Sequence, residues 1–358
     1  MIYGVALLVI LFAIVFGRVR IARLQRLLLG TFGVLLFLLP TFVHSDATIN
    51  GLADIGIYVV LALGLNITVG FAGLLDLGYA AFFSIGAYTY GMLASPQFGI
   101  HWPFWLLLFL GAGLAAVFGL ILGAPTLRLH GDYLAIVTLG FGLIVPQIFQ
   151  NLVKYTGGPN SISGLDTPTF FGHSFGQSAT PFYYVIVVVV GMVIVLVNNL
   201  RESRLGRGWM AIREDQLAAK HVGINTTGVQ LAAFAFGAAV AGLAGVIFAA
   251  KLSLVSPDIF TYQTSILILS MVVLGGMGNI AGVVIGAVIL ALVNGSVLPQ
   301  INGLVNGIFH SNLDVTNYNF FIYGAILVAL MLFRPEGLLP NRERQSELHA
   351  AVASETDP

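Results

Sequence analysis

Four stretches of this sequence contain no Asp, Glu, Lys or Arg: Leu77 to Leu127, Thr167 to Leu200, His221 to Ala250 and Ile259 to Leu313. An apolar helix of about 20 residues crosses the hydrocarbon core of a bilayer, so each stretch is long enough to hold a span and the longest can hold two. A water-soluble fold has no means of covering so much apolar surface. The rest of the chain agrees: of 358 residues 58% are hydrophobic and 8% charged, against about a quarter charged in soluble domains. In lipid, every backbone polar group must be satisfied internally, which leaves helices or closed barrels. The apolar runs do not alternate as barrel strands do. Even the β-branched run Val185 to Val190 is therefore expected to be helical, and the fold class is an all-α polytopic membrane protein.

Cutting at polar, Pro and Gly-rich interruptions gives about eleven candidate transmembrane helices. They run from Ile2 to Phe16, Leu27 to Phe42, Leu52 to Val69, Gly78 to Ala94, Pro103 to Gly123 and Tyr133 to Leu152. The remainder are Pro181 to Leu200, Leu231 to Ala250, Thr264 to Leu274, Ile280 to Leu298 and Phe320 to Phe333. The first and ninth are short. One alternate set of loops carries thirteen of the fifteen basic residues and the other only Lys154 and Lys251. Basic residues mark cytoplasmic loops, so the N-terminus is expected outside and the C-terminus inside. The first span lacks a basic leader and reads as an N-out anchor. Residues 1–335 are expected to form a single transmembrane domain with a cytoplasmic loop at 201–230, and 336–358 a polar cytoplasmic tail.

Several chemistries lack their residues. Formal net charge is zero and there are no cysteines, so nothing points to nucleic acid and no thiolate nucleophile or sulfur-ligated metal exists. The seven histidines fall in loops or tails at unrelated spacings, without a metal-ligand pattern. No catalytic residue, metal or cofactor is expected, and no buried acid pair or mid-span His offers a proton relay. The phosphate-cradling G-x-x-x-x-G-K-[ST] run is absent too, so any ATP used is bound by another chain.

Three segments carry functional signal. The loop Arg201 to Gln230 holds a helix-compatible run from Trp209 to Val222 that ends at Gly223, with Trp209, Leu217 and Ile224 on one face and Arg213 and Lys220 among them. A mixed apolar and basic face suits docking in a groove on a protein, with Trp209 as anchor; the alternative is a solvated linker. Glycine is second, at 43 residues. Gly119-x-x-x-Gly123, Ala241-x-x-x-Gly245 and Gly282-x-x-x-Gly286 have the spacing that lets helices approach closely. Two further clusters, Gly70 to Gly78 and Gly275 to Gly282, interrupt spans at their expected cytoplasmic ends, each with one polar residue, Asp76 or Asn279, able to cap the next helix. Such paired interruptions either flag a transport path or are tight interhelical turns. Substrate-path candidates are Asn66, Gly70, Gly73, Asp76, Thr138, Gly276 and Asn279. Third, the outer loop from Lys154 to Leu165 is rich in Gly, Ser and Asn, long enough to be an external gate or dock, or else an inert connector.

Together these segments resemble the permease subunits of bacterial branched-chain amino-acid ABC importers, the LivM type. The matching runs are Gly64 to Asn66 with Val69 to Gly78, Gly131 to Leu139, Thr156 to Asn160, Ala211 to Asp215 with Ala218-Ala219 and Gly223 to Asn225, and Val273 to Asn279. They span the chain from about Leu52 to Gly337. The resemblance implies an inner-membrane importer of branched-chain or related hydrophobic amino acids. Its implied partners are a second, LivH-like permease subunit, two cytoplasmic ATPase subunits and a periplasmic amino-acid-binding protein. It also implies that Trp209 to Asn225 is the coupling helix, with Trp209, Arg213, Glu214, Ala218, Ala219 and Gly223 in contact with the ATPase. Leu217 departs from the wider importer pattern, which often has Glu there. Related permeases move urea or short amides, and a stand-alone ion-coupled carrier is the main rival from another class; a membrane enzyme has the least support.

Overall fold

A computed structural model describes residues 39–41, 45–126, 132–170, 173–176, 178–300 and 337–339, and isolated positions between 321 and 332. The expected spans Ile2 to Phe16, Leu27 to Phe42 and Phe320 to Phe333, and the tail from Glu336, lie wholly or mostly outside these residues. Each of the other expected spans is a helix: α1 (Asp46–Leu65, continued by a π turn Asn66–Phe71), α2 (Tyr79–Leu93), α3 (Phe104–Thr126), α4 (Asp132–Asn151) and α5 (Ala179–Glu202). After two short helices, α6 (Arg204–Glu214) and α7 (Gln216–His221), come α8 (Thr226–Leu252), α9 (Tyr262–Gly275) and α10 (Ile280–Leu292, followed by a π turn Val293–Val297). Among the described residues, seven helical segments are long and apolar enough to cross a membrane.

The core is built round α1 and α8. Helix α8 packs against α1, α2 and α3, while α1 also meets α5 and α10. Glycine sets the spacing: a Cβ on Gly86 would lie 2.0 Å from the Gly242 carbonyl, and one on Gly242 would lie 2.5 Å from that of Gly111. Helices α2, α8 and α3 therefore touch backbone to backbone, the contact that drives association where no water is left to expel. The predicted small-residue spacings sit at the same kind of contact, Gly119 on Ala238, Gly245 on Phe83 and Gly286 on Met271. On the periphery, α3, α4 and α5 expose Phe109, Ile121, Tyr133, Ile136, Val188 and Met192, an apolar exterior suited to lipid.

The loops gather at two ends. At one, β1 (Ala94–Ser95) pairs with β2 (Ile100–His101), and β3 (Ile162–Ser163) pairs with β4 (Leu254–Val255), a strand that follows α8. Lys251 donates to Asp54 there, at 2.5 Å, and His101 meets Asp166 at 2.6 Å. The Lys154 to Leu165 loop is tied down at this end. Ile162 is buried in the β3–β4 pair, and the Tyr90 hydroxyl donates to the carbonyl of Asp166 just beyond. The other end carries α6, α7 and the two glycine breaks.

Helix α2, of 15 residues, is about 22 Å long, short of a ~30 Å core, whereas α9 with the 3-10 turn before it, Pro257–Gly275, reaches 19 residues. Their chains enter from opposite ends, yet the Ser265 hydroxyl in the first turn of α9 accepts from Ala80 N–H in the first turn of α2, at 2.9 Å. Both helices thus begin inside the bundle. The expected span from Gly78 to Ala94 is a helix that covers about three-quarters of a ~30 Å core, with non-helical chain from Ala72 to Gly78 before it.

Candidate functional site

The first break starts where α1 loosens into its π turn, with Ala72 N–H reaching back to the Ile67 carbonyl at 3.2 Å. Single π turns recur at functional positions because they leave backbone and side chains off the helical register. Gly73 turns the chain at φ +67°. Leu74 N–H then returns to the Thr68 carbonyl, and Leu77 N–H is received by the Thr138 hydroxyl at 3.1 Å. A Cβ on Gly78 would lie 2.1 Å from the Thr138 carbonyl, so the break rests directly on the α4 backbone.

The second break is a tight turn, with Gly276 at φ +108° and Gly278 at φ +84°. Asn279 caps α10 as expected, accepting from Ala281 and Gly282 N–H, and its amide donates to the Leu339 carbonyl. Asp76 departs from expectation. Its Oδ1 accepts from Gly78 N–H at 2.9 Å, two residues on, and Gly78 holds the N-cap position of α2 without a side-chain cap. The carboxyl closes a local turn rather than capping the helix.

The structure brings the two breaks together. Asn66 Oδ1 accepts from Gly278 N–H at 2.9 Å, and a Cβ on Gly70 would lie 2.7 Å from the same nitrogen. Of the path candidates, Asn66, Asp76 and Thr138 are wholly buried. Asn66, Gly70 and the Gly276–Asn279 turn form one junction, with Gly73, Asp76 and Thr138 on its α4 side. Ser265 and Tyr79, whose hydroxyl donates to the Gly237 carbonyl at 3.2 Å, belong to the same region and were missed. A hydroxyl in the first turn of an unusually short span was the available signal for Ser265.

The loop between α5 and α8 is not the single helix predicted from Trp209 to Val222. Asp215, at φ −153°, ends α6 and caps α7 by accepting from Leu217 and Ala218 N–H. A helix N-cap is a strong role for Asp, and it outweighs the apolar period that runs through it. Gly223 has φ +88°, and Ile224 N–H to the Ala219 carbonyl with Gly223 N–H to that of Lys220 makes a Schellman end. Nothing lies within 4 Å of a Cβ on Gly223, so backbone conformation alone selects glycine there.

Two of the coupling residues point inward. Trp209 has 0% exposure, and its indole N–H donates to the Val229 carbonyl at 2.6 Å. It pins α6 onto α8 of its own chain. Arg213 donates from Nη1 to the Gly70 carbonyl at 2.7 Å, and its stem covers Gly73. Its guanidinium thus serves the first break rather than an outside acid. Ala219 is buried, whereas Glu214, Asp215, Leu217, Ala218, Lys220 and Val222 are exposed, Leu217 at 69% and Val222 at 78%. The free surface is on α7, at the tip of the hairpin.

A polytopic helical bundle in which α2 and α9 begin against each other, with an exposed hairpin tied to the break beside them, is the architecture of a multi-pass membrane protein. The family model described as "Branched-chain amino acid transport system / permease component" matches residues 47–331, and the chain belongs to that family. It is 39% identical to the high-affinity branched-chain amino acid transport system permease protein LivM of Salmonella typhimurium, over 83% of this chain and 71% of that one. Identity to LivM of Escherichia coli is 37%, over 92% and 78% of the two chains. To the permease protein LivH of Escherichia coli it is 28%, over 82% and 94%. No solved structure matches.

Proposed function

We propose that the chain is the transmembrane permease subunit of an ATP-driven importer for branched-chain or related hydrophobic amino acids, in the bacterial inner membrane. It pairs with a second, LivH-like permease subunit and receives substrate from a periplasmic binding protein. Two separate ATPase subunits energise it through the α6–α7 hairpin on the cytoplasmic side. The observation that carries this reading is the Arg213 to Gly70 hydrogen bond. It joins a hairpin whose tip is free for a partner to the break at which α1 gives way to α2. Movement of the hairpin by a docked ATPase is then transmitted directly to the path. Docking falls to Leu217, Ala218, Lys220 and Val222, with Glu214 beside them, while Trp209 and Arg213 convert docking into motion.

Co-purification tests the partnership. Leu217→Asp, which puts a charge on the exposed face of α7, should release the ATPase subunits while the chain remains inserted. Full retention of the ATPases would remove the hairpin from the interface. Orientation has its own check: a reporter fused after Pro358 should be cytoplasmic and a tag at Met1 accessible from outside.

A further inference from the structure

Three buried side-chain atoms have no hydrogen-bond partner among the described residues: Asn66 Nδ2, Asp76 Oδ2 and the Tyr88 hydroxyl. Tyr88 stands apart, stacked on Phe149 at 3.9 Å between ring centroids. The other two flank one break. Asn66 opens the π turn, and Asp76 closes the non-helical segment before α2.

In each, one end of the side chain is committed and the other is not. Asn66 Oδ1 takes the Gly278 N–H, which fixes that end of the amide as oxygen and leaves Nδ2 as a spare donor. Asp76 Oδ1 takes the Gly78 N–H and leaves Oδ2 as a spare acceptor. Native interiors rarely leave such groups unpaired, because desolvation is then uncompensated. Nearby side chains have other partners: the Thr138 hydroxyl accepts from Leu77 N–H and donates to the Ala135 carbonyl, and Arg213 Nη1 donates to the Gly70 carbonyl. The ion pairs among the described residues, His101 with Asp166 and Lys251 with Asp54, do not include Asp76. The N-terminus of α2 favours a carboxylate beside it and offsets part of the cost, but it does not occupy Oδ2.

Both groups lie at a helix interruption inside the bundle, where unwound backbone and half-helix ends meet substrate in membrane carriers. An ionisable residue kept at such a place without a partner is a candidate for function rather than stability. The free end of an α-amino acid carries one ammonium, which needs an acceptor, and one carboxylate, which needs a donor.

We propose that Asn66 and Asp76 recognise the zwitterionic end of an α-amino acid as it passes the first break, with Asp76 Oδ2 accepting from the ammonium and Asn66 Nδ2 donating to the carboxylate. The inference rests on the amino-acid import reading above. Because both residues are wholly buried here, contact requires the break to open, and the π turn with Gly70 and Gly73, held by Arg213, is the part that opens. A neutral amide or urea gains nothing from the charge on Asp76.

The test uses the complete complex, with its ATPases and binding protein, in proteoliposomes, and follows ATP-driven uptake of radiolabelled L-leucine. Asp76→Asn keeps the size of the side chain and the acceptor for Gly78 N–H while removing the charge. Asn66→Asp keeps the acceptor for Gly278 N–H while removing the spare donor. Each should lower the initial rate of leucine uptake about tenfold or more, the scale of a lost charge-assisted hydrogen bond. Asp76→Asn should also assemble with its ATPases and melt no lower than wild type, since it removes a buried unpaired charge. Wild-type uptake with unchanged uptake by Asp76→Asn overturns this proposal and leaves the import reading standing. Absence of ATP-driven leucine uptake in the wild type overturns both. Failure of Asp76→Asn to assemble would assign the carboxyl a structural role and overturn the proposal as well.

Discussion

The two glycine breaks look alike in composition and are built in opposite ways. The second, around Gly276, is closed: Asn279 satisfies the start of α10, and residues 337–339 lie across it, with Leu338 and Leu339 N–H donating to the Leu274 and Gly275 carbonyls. The first, from Gly70 to Gly78, follows a π turn, lacks a side-chain cap on the helix it precedes, and leaves a buried carboxyl oxygen unpartnered. Its outside ties are the Thr138 hydroxyl, which receives Leu77 N–H, and Arg213 of the α6–α7 hairpin, which donates to the Gly70 carbonyl. A turn with all of its groups satisfied has one stable form, whereas one with spare groups and an external handle has a reason to adopt a second. On the import proposal, the second break is the pivot and the first is the part that moves.

The sharpest way to break that comparison is Gly276→Val. A β-branched residue at φ +108°, with the Gly337 backbone packed against the same glycine, costs about 1–3 kcal/mol in backbone strain alone. Membrane yield and thermal midpoint should both fall, as expected of a pivot. Equal loss from Gly191→Val, where nothing lies within 4 Å of the added Cβ, would make the pivot an ordinary packing site.

Arg213→Ala should act on coupling instead. Losing a charged donor to the Gly70 carbonyl costs about 1.5–3 kcal/mol, so substrate-stimulated ATP hydrolysis should fall by about one to two decades. Insertion and ATPase retention should persist, because Trp209 still holds α6. A simultaneous loss of the ATPases would place Arg213 on the outer surface of the hairpin, against its observed direction.

Gly223→Val is a related probe of the hairpin end. Strain at φ +88° should loosen the Schellman turn by about 1–3 kcal/mol and weaken ATPase retention more than membrane yield. The smallest effect belongs to Asn279→Ala. Losing the cap of α10 costs about 1 kcal/mol, visible as a lower midpoint in detergent with uptake retained. A large loss of uptake at an unchanged midpoint would give the second break a part in the path and dissolve the contrast between the two.

Much of this molecule was legible in advance for a local reason. Whether a segment crosses lipid depends on its own length and apolar content, so the central spans could be drawn from the sequence with boundaries a few residues off. The Asn279 cap is equally local, since it acts on the first turn of its own helix, and the glycine spacings are legible because their members lie one turn apart on one helix face, although the contact they make is with another helix. The hairpin between α5 and α8 is harder to read: an apolar period runs through Asp215, and the N-cap that Asp215 supplies to α7 outweighs it.

What tertiary structure alone decided is where distant groups meet. Arg213 and Gly70 are 143 residues apart, Asn66 and Gly278 are 212, and Ser265 and Ala80 are 185. No periodicity encodes those distances. Trp209 has the same composition-level signature whether it anchors a partner or its own helix, and only packing against α8 chose the latter. The sequence by itself determined that this chain is a glycine-rich helical bundle in a membrane, because hydrophobic length and backbone satisfaction act segment by segment. Close packing of those segments determined that two of the helices begin inside the bundle and that both breaks share one junction, because backbone contact at glycine fixes the depth at which each helix stops.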